Sequence, residues 1–247
     1  ISLLMLYKKV MKAHRARRLK KVIGSWKLGD YFRQLSVVIL GIIVTFAASD
    51  ALTEYTQSRE IRSTLQLVKN ELESDLEALR WISGRVELEQ RVCTYIVEYR
   101  DNLEKASEDT LRKYQWIPFQ TRDFLYTKDA LDLLKTSALF QKIKPRTVCL
   151  QVIEAYNALE SSMMTVRTYY EAKDSYTTRL MLDGNVDFYE MGFRLPVREF
   201  WRDLLATREG RLICNFSANN FGEGPFDERI KIVEKTIGML TEKYGLE

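Results

Sequence analysis

The only imidazole in the chain is His14, set among lysines and arginines near its beginning. Everything after it therefore lacks the base that a Ser-His or Cys-His nucleophile needs, and lacks a common zinc ligand. Cys93, Cys149 and Cys214 are far apart and form no C-x-x-C pair. Gly222-Glu223-Gly224-Pro225 has neither the lysine nor the preceding strand of a phosphate-binding loop. Two carboxylate pairs, Glu71 with Asp75 and Glu223 with Asp227, have the spacing for acid/base work, but on helices of this composition such pairs are usually solvated surface. The inventory predicts a non-enzymatic protein with no cofactor, no metal and no small-molecule substrate. In an oxidising compartment three cysteines leave one over. Cys93 reads as a small buried apolar residue, and Cys149 with Cys214 is the candidate disulfide. Asn215-Phe216-Ser217 has the form of a glycosylation acceptor, relevant only in a eukaryotic secretory route.

What must position these residues begins with LSVVILGIIVTFAASD, Leu35 to Asp50, the most apolar stretch of the chain. Gln34 to Ser49 gives 16 uncharged residues, against the roughly 20 that a bilayer core requires. With Arg33 reaching inner headgroups and Asp50 at the outer edge, a helix over 31–55 is long enough to cross. Tyr31, Phe32 and Tyr55 then lie at interface depth. The competing readings are a buried core helix and a signal peptide cleaved near Ala47-Ala48-Ser49. Some thirty residues before the run are too many for a signal's basic region. Gly41, Thr45 and Ser49 recur every fourth residue, a small-residue stripe against which another membrane helix could pack.

Charge sets the orientation. Residues 1–35 hold ten Lys or Arg against the single acid Asp30, a balance of +9, which leaves the rest of the +4 chain at −5. Positive flanks stay cytoplasmic, so the N-terminus is expected inside and the body outside. Residues 1–30 read as a basic amphipathic helix on an anionic membrane surface, with Lys8, Lys9, Arg15, Arg17, Arg18, Lys20 and Lys21 on headgroups. Nucleic acid is the rival partner. It is disfavoured because the cluster adjoins the apolar run and lacks aromatic interleaving.

Residues 56–247 read as an extracytoplasmic, all-α domain. Ile61, Leu65, Val68, Leu72, Leu76, Leu79, Ile82, Val86, Cys93, Ile96, Tyr99 and Leu103 follow at three- or four-residue steps, interrupted only by Glu89-Gln90. The mean step of about 3.5 is that of a coiled-coil or bundle seam. This seam meets either its own bundle or a second copy. Further helices are expected over Phe124 to Ile143, from Pro145 to near Asp183-Gly184-Asn185, and from Pro196 to Arg208. The last helix is expected to be capped by Asp227 and closed by Gly245. No segment alternates convincingly at period two, GRLICNF being the nearest to a short strand, and CNFSANNFGEGPF reads as a loop. The fold class is thus a transmembrane helix continuing into a long coiled-coil-like helix, with antiparallel helices packed along it.

The order of basic leader, VVILGIIVTFAASDALTEY and REIRSTLQLVKNELESDLEAL resembles the opening of an uncharacterised single-span membrane family common in Bacteroidota, over residues 31–80. The resemblance implies an inner-membrane protein with a helical periplasmic domain, and brings no catalytic residue. The expected role is an accessory or interaction subunit contacting lipids and either other integral membrane subunits or copies of itself. The alternatives are a chemoreceptor-like sensory module and, more distantly, an enzyme working through carboxylates alone.

Overall fold

The computed structural model describes residues 28–182 and 188–246. The leader helix and its Lys8, Lys9, Arg15, Arg17, Arg18, Lys20 and Lys21, like the turn at 183–185, fall outside the described residues. The fold is all-α, with eight α-helices and no strand among the described residues. These are α1 (Leu28–Tyr99), α2 (Glu108–Lys113), α3 (Asp129–Thr136), α4 (Arg146–Leu182), α5 (Phe188–Arg194), α6 (Val197–Ala206), α7 (Arg208–Asn219) and α8 (Asp227–Tyr244). Short 3-10 turns occupy Leu103–Lys105 and Ile117–Phe119. Ile1–Arg59 and Glu60–Glu247 form two compact units.

In the first unit the apolar run is helical and open on every side. Val44 is 59% and Phe46 67% exposed, and none of the most apolar 18-residue stretch is buried. A core helix of a water-soluble fold would show the reverse. This segment is long and apolar enough to cross a membrane.

In the second unit the seam residues lose water together. Leu65, Val68, Leu72, Leu79 and Ile82 pack with Val148, Val152, Leu159 and Val166 of α4 and with Val233 and Leu240 of α8. Each such side chain contributes about 1.5–3 kcal/mol on burial. Val92 and Ile96 join a second cluster with Leu111, Phe200, Trp201, Leu204 and Ile213. The seam therefore meets its own bundle. Helix α4 packs against α7 and α8, and α6 packs against α2 and α7.

Four expectations change. Helix α1 ends at Tyr99, where the Asn102 amide donates to the Tyr99 carbonyl at 2.9 Å, so Leu103 lies in the following 3-10 turn. The helix expected over Phe124 to Ile143 shrinks to α3, because Thr127 and Ala130 give their amides to side chains of α1. The stretch GRLICNF, the nearest to a strand, lies in α7, begun by Thr207, whose hydroxyl accepts from the Gly210 amide at 3.0 Å. Helix α7 runs to Asn219 and leaves only a short loop before α8, whose N-cap is Phe226, with Asp227 inside the first turn.

Gly245 closes α8 in the left-handed region at φ 57°, and its carbonyl accepts from Arg62 of α1 at 2.6 Å. Gly238, in the exposed interior of the same helix, has open space where a Cβ would stand. Opposite effects follow for one chemical change. Gly245→Ala should destabilise by about 1 kcal/mol, while Gly238→Ala should stabilise by roughly 0.5–1 kcal/mol, as read from denaturant unfolding of the full chain in detergent.

Candidate functional site

The polar interruption of the seam is where the second unit keeps its buried charge. Glu89 stands at a core position of α1, and Tyr169, Tyr170 and Lys173 lie one turn apart on the facing stripe of α4. Glu89 and Lys173 are both 0% exposed and form a direct ion pair. Glu89 Oε1 also accepts from the Tyr169 hydroxyl at 2.8 Å and from Ser217 Oγ of α7 at 3.2 Å. Its Oε2 accepts from the Tyr170 hydroxyl at 3.3 Å. Lys173 Nζ donates a second bond to the Gln120 carbonyl and lies 4.8 Å from the centre of the Tyr170 ring.

Three of these donors meet at Oε1 and one reaches Oε2. Burial lowers the Lys173 pKa, and the Glu89 charge opposes that shift. Burial first, and Glu89 second, raise the Tyr169 and Tyr170 hydroxyls, which keeps both protonated as donors. The Glu89 carboxylate is held by donors from two helices besides its own. Its chemical capacity is to clamp α1, α4, α7 and the chain at Gln120 to one point.

Tyr169 also faces outward from this clamp. Its ring stacks on Phe216 at 5.4 Å between centres and meets Phe221 at 4.9 Å. The three aromatics line an open groove of about 730 Å³ between α4 and α7, rimmed by Asn157, Glu160 and Thr165. Among the described residues that line it there is no arginine.

The carboxylate pair Glu71 and Asp75 does different work. Glu71 Oε2 accepts from the Ala130 amide at 3.0 Å, and Oε1 accepts from the Tyr156 hydroxyl. Asp75 accepts from the Thr127 amide at 3.1 Å and from the Thr127 hydroxyl at 3.2 Å. Lys128, the N-cap residue of α3, supplies no side-chain cap, so α1 provides one from outside the helix. Burial is the main cause of an Asp75 pKa pushed up to about 6, with the Thr127 bonds opposing it. The second pair, Glu223 and Asp227, lines a shallow groove with Glu87, Arg91 and Glu98.

The remaining sequence-derived sites are dispersed. Gly41, Thr45 and Ser49 lie on the exposed apolar segment of α1; Thr45 already donates its hydroxyl to the Gly41 carbonyl at 2.8 Å. Cys149 and Cys214 are not bonded, and all three cysteines are free thiols. Cys149 donates to the Phe140 carbonyl at 3.7 Å and belongs to one core cluster, whereas Cys214 belongs to the other. The glycosylation triplet is helical, and its Ser217 hydroxyl is buried on Glu89. Lys173, Tyr169 and Ser217 escaped sequence reasoning. Only the gap at Glu89 pointed to them, since a buried carboxylate implies a buried donor elsewhere.

Two outcomes follow. Lys173→Met or Glu89→Gln alone should destabilise by about 3–5 kcal/mol, and the double replacement by clearly less than the two combined, in a denaturant double-mutant cycle. Asp75 holds its proton in the folded state up to about pH 6, whereas the unfolded chain releases it near pH 4. Stability should therefore fall by on the order of 2–3 kcal/mol as pH rises from about 4 to about 6, and Asp75→Asn should flatten that slope in thermal melts. Comparison with protein-family models, with characterised proteins and with solved structures finds no match.

Proposed function

We propose that the chain is a non-enzymatic, membrane-anchored accessory subunit of a bacterial inner membrane, with its N-terminus in the cytoplasm and residues 56–247 in the periplasm. One observation carries this reading: the apolar segment of α1 is exposed along its whole length while the seam beyond it is buried in the bundle. A segment of that composition exposed to water would be costly, and lipid removes the cost. The +9 balance of residues 1–35 supports the orientation. The likeness of residues 31–80 to the Bacteroidota family agrees with the layout. Gly41, Thr45 and Ser49 are the surface offered to another membrane helix, whether a partner subunit's or a second copy's.

A sensory or ligand-binding module is the second reading, favoured by the groove beside Tyr169, Phe216 and Phe221. Without an arginine in its walls, that groove suits a neutral polar ligand better than an anion.

The anchored reading is tested in membranes containing the full chain. It should resist alkaline carbonate extraction, and external protease on spheroplasts should digest the body and spare the leader. Gly41→Leu should leave insertion intact but weaken crosslinking through a cysteine placed at Thr45. Release into the carbonate supernatant would sink the anchor, and a lone monomer in gentle detergent would sink the interaction role.

A further inference from the structure

Cys93 lies one turn beyond Glu89 on α1, and Cys214 lies one turn before Ser217 on α7. Ser217 touches Glu89 at 3.2 Å, so those two turns face each other. Beyond Glu89, Val92 and Ile96 of α1 share a core cluster with Ile213 and Cys214, which precede Ser217 on α7, so the two helices run in opposite directions here and Cys93 comes opposite Cys214. Both are 0% exposed, and Cys214 is the neighbouring side chain that acts most strongly on the Cys93 thiol. Cys149 sits in the other cluster on the Phe140 carbonyl.

We propose that Cys93 and Cys214 form a disulfide site that joins α1 to α7 under oxidising conditions, leaving Cys149 as the unpaired thiol. In the reaction two S–H bonds break and one S–S bond forms. The two protons and two electrons pass to an external disulfide, which is reduced to two thiols through a mixed-disulfide intermediate. The neighbouring Cys214 and burial hold the Cys93 thiol protonated. The folded, reduced pair is therefore a poor nucleophile, and the exchange takes place while the body opens or folds. Once closed, the bond lies between buried helices beside the Glu89 clamp, where a reductant reaches it only when the body opens. The proposal rests on the packing of the second unit and does not depend on which side of a membrane that unit occupies.

The test uses the full chain in detergent, held at its denaturation midpoint in a mixture of oxidised and reduced glutathione and then returned to native conditions. Remaining thiols are blocked, and the digest is read by mass spectrometry without reduction. The expected product is a linked pair of peptides containing Cys93 and Cys214, lighter by two hydrogens, with two of the three alkylatable thiols lost and Cys149 blocked. Cys149→Ser should give the same link, and reduction should lower the melting midpoint of both proteins but not that of Cys93→Ser. A link involving Cys149 would overturn the proposal. So would Cys93 and Cys214 recovered as blocked thiols or glutathione adducts.

Discussion

A carboxylate placed in a helical core has to be matched, donor by donor, or the core does not form. Glu89 interrupts an otherwise apolar seam, and the cost of removing its charge from water is met by Lys173, Tyr169, Tyr170 and Ser217 together. These donors come from two helices besides its own. The register of α1 against α4 and α7 is consequently fixed by polar geometry at one level, and by less specific apolar contact above and below. A seam made only of leucine and valine could slide by a turn at modest cost. One containing this clamp cannot slide without stranding a charge.

Helix α1 solves two solvation problems with a single backbone. Over its first part every side of the helix is apolar and exposed. From Glu60 onward only one stripe is apolar, and that stripe is covered by α4 and α8. The change from all-round to one-sided hydrophobicity occurs near the boundary between the compact units. It distinguishes a surface suited to lipid from one suited to protein.

Much of this architecture was legible because periodicity records which face a helix buries. Val148, Val152, Ala155, Tyr156, Leu159, Val166 and Tyr170, and the seam from Leu65 to Ile96, appear in the core as their spacing required, with Met163 half-buried beside them. The failures share a physical origin, which is that the deciding contacts are remote in sequence. Helix α3 is short because Glu71 and Asp75, more than fifty residues earlier, accept the amides at its start. Helix α7 was obscured because its buried face includes Ser217, a polar residue that belongs in the core only when Glu89 is there. The neighbour of Cys93 was hidden for the same reason, since sequence order separates Cys93 from Cys214 while helix packing brings them together. The candidate site was legible as a gap, and its occupants were not.

The hydroxyls of the apolar segment have a consequence of their own. Ser36, Thr45, Thr53 and Thr56 each donate to the carbonyl four residues earlier, at 2.6–2.9 Å. Their protons are thus spoken for before any neighbour arrives. A helix laid against the turn of Gly41 and Thr45 would have to identify this one by contour, fitting into the notch at Gly41 instead of accepting a proton from Thr45. Recognition of that kind tolerates swaps between serine, alanine and threonine, yet is intolerant of bulk.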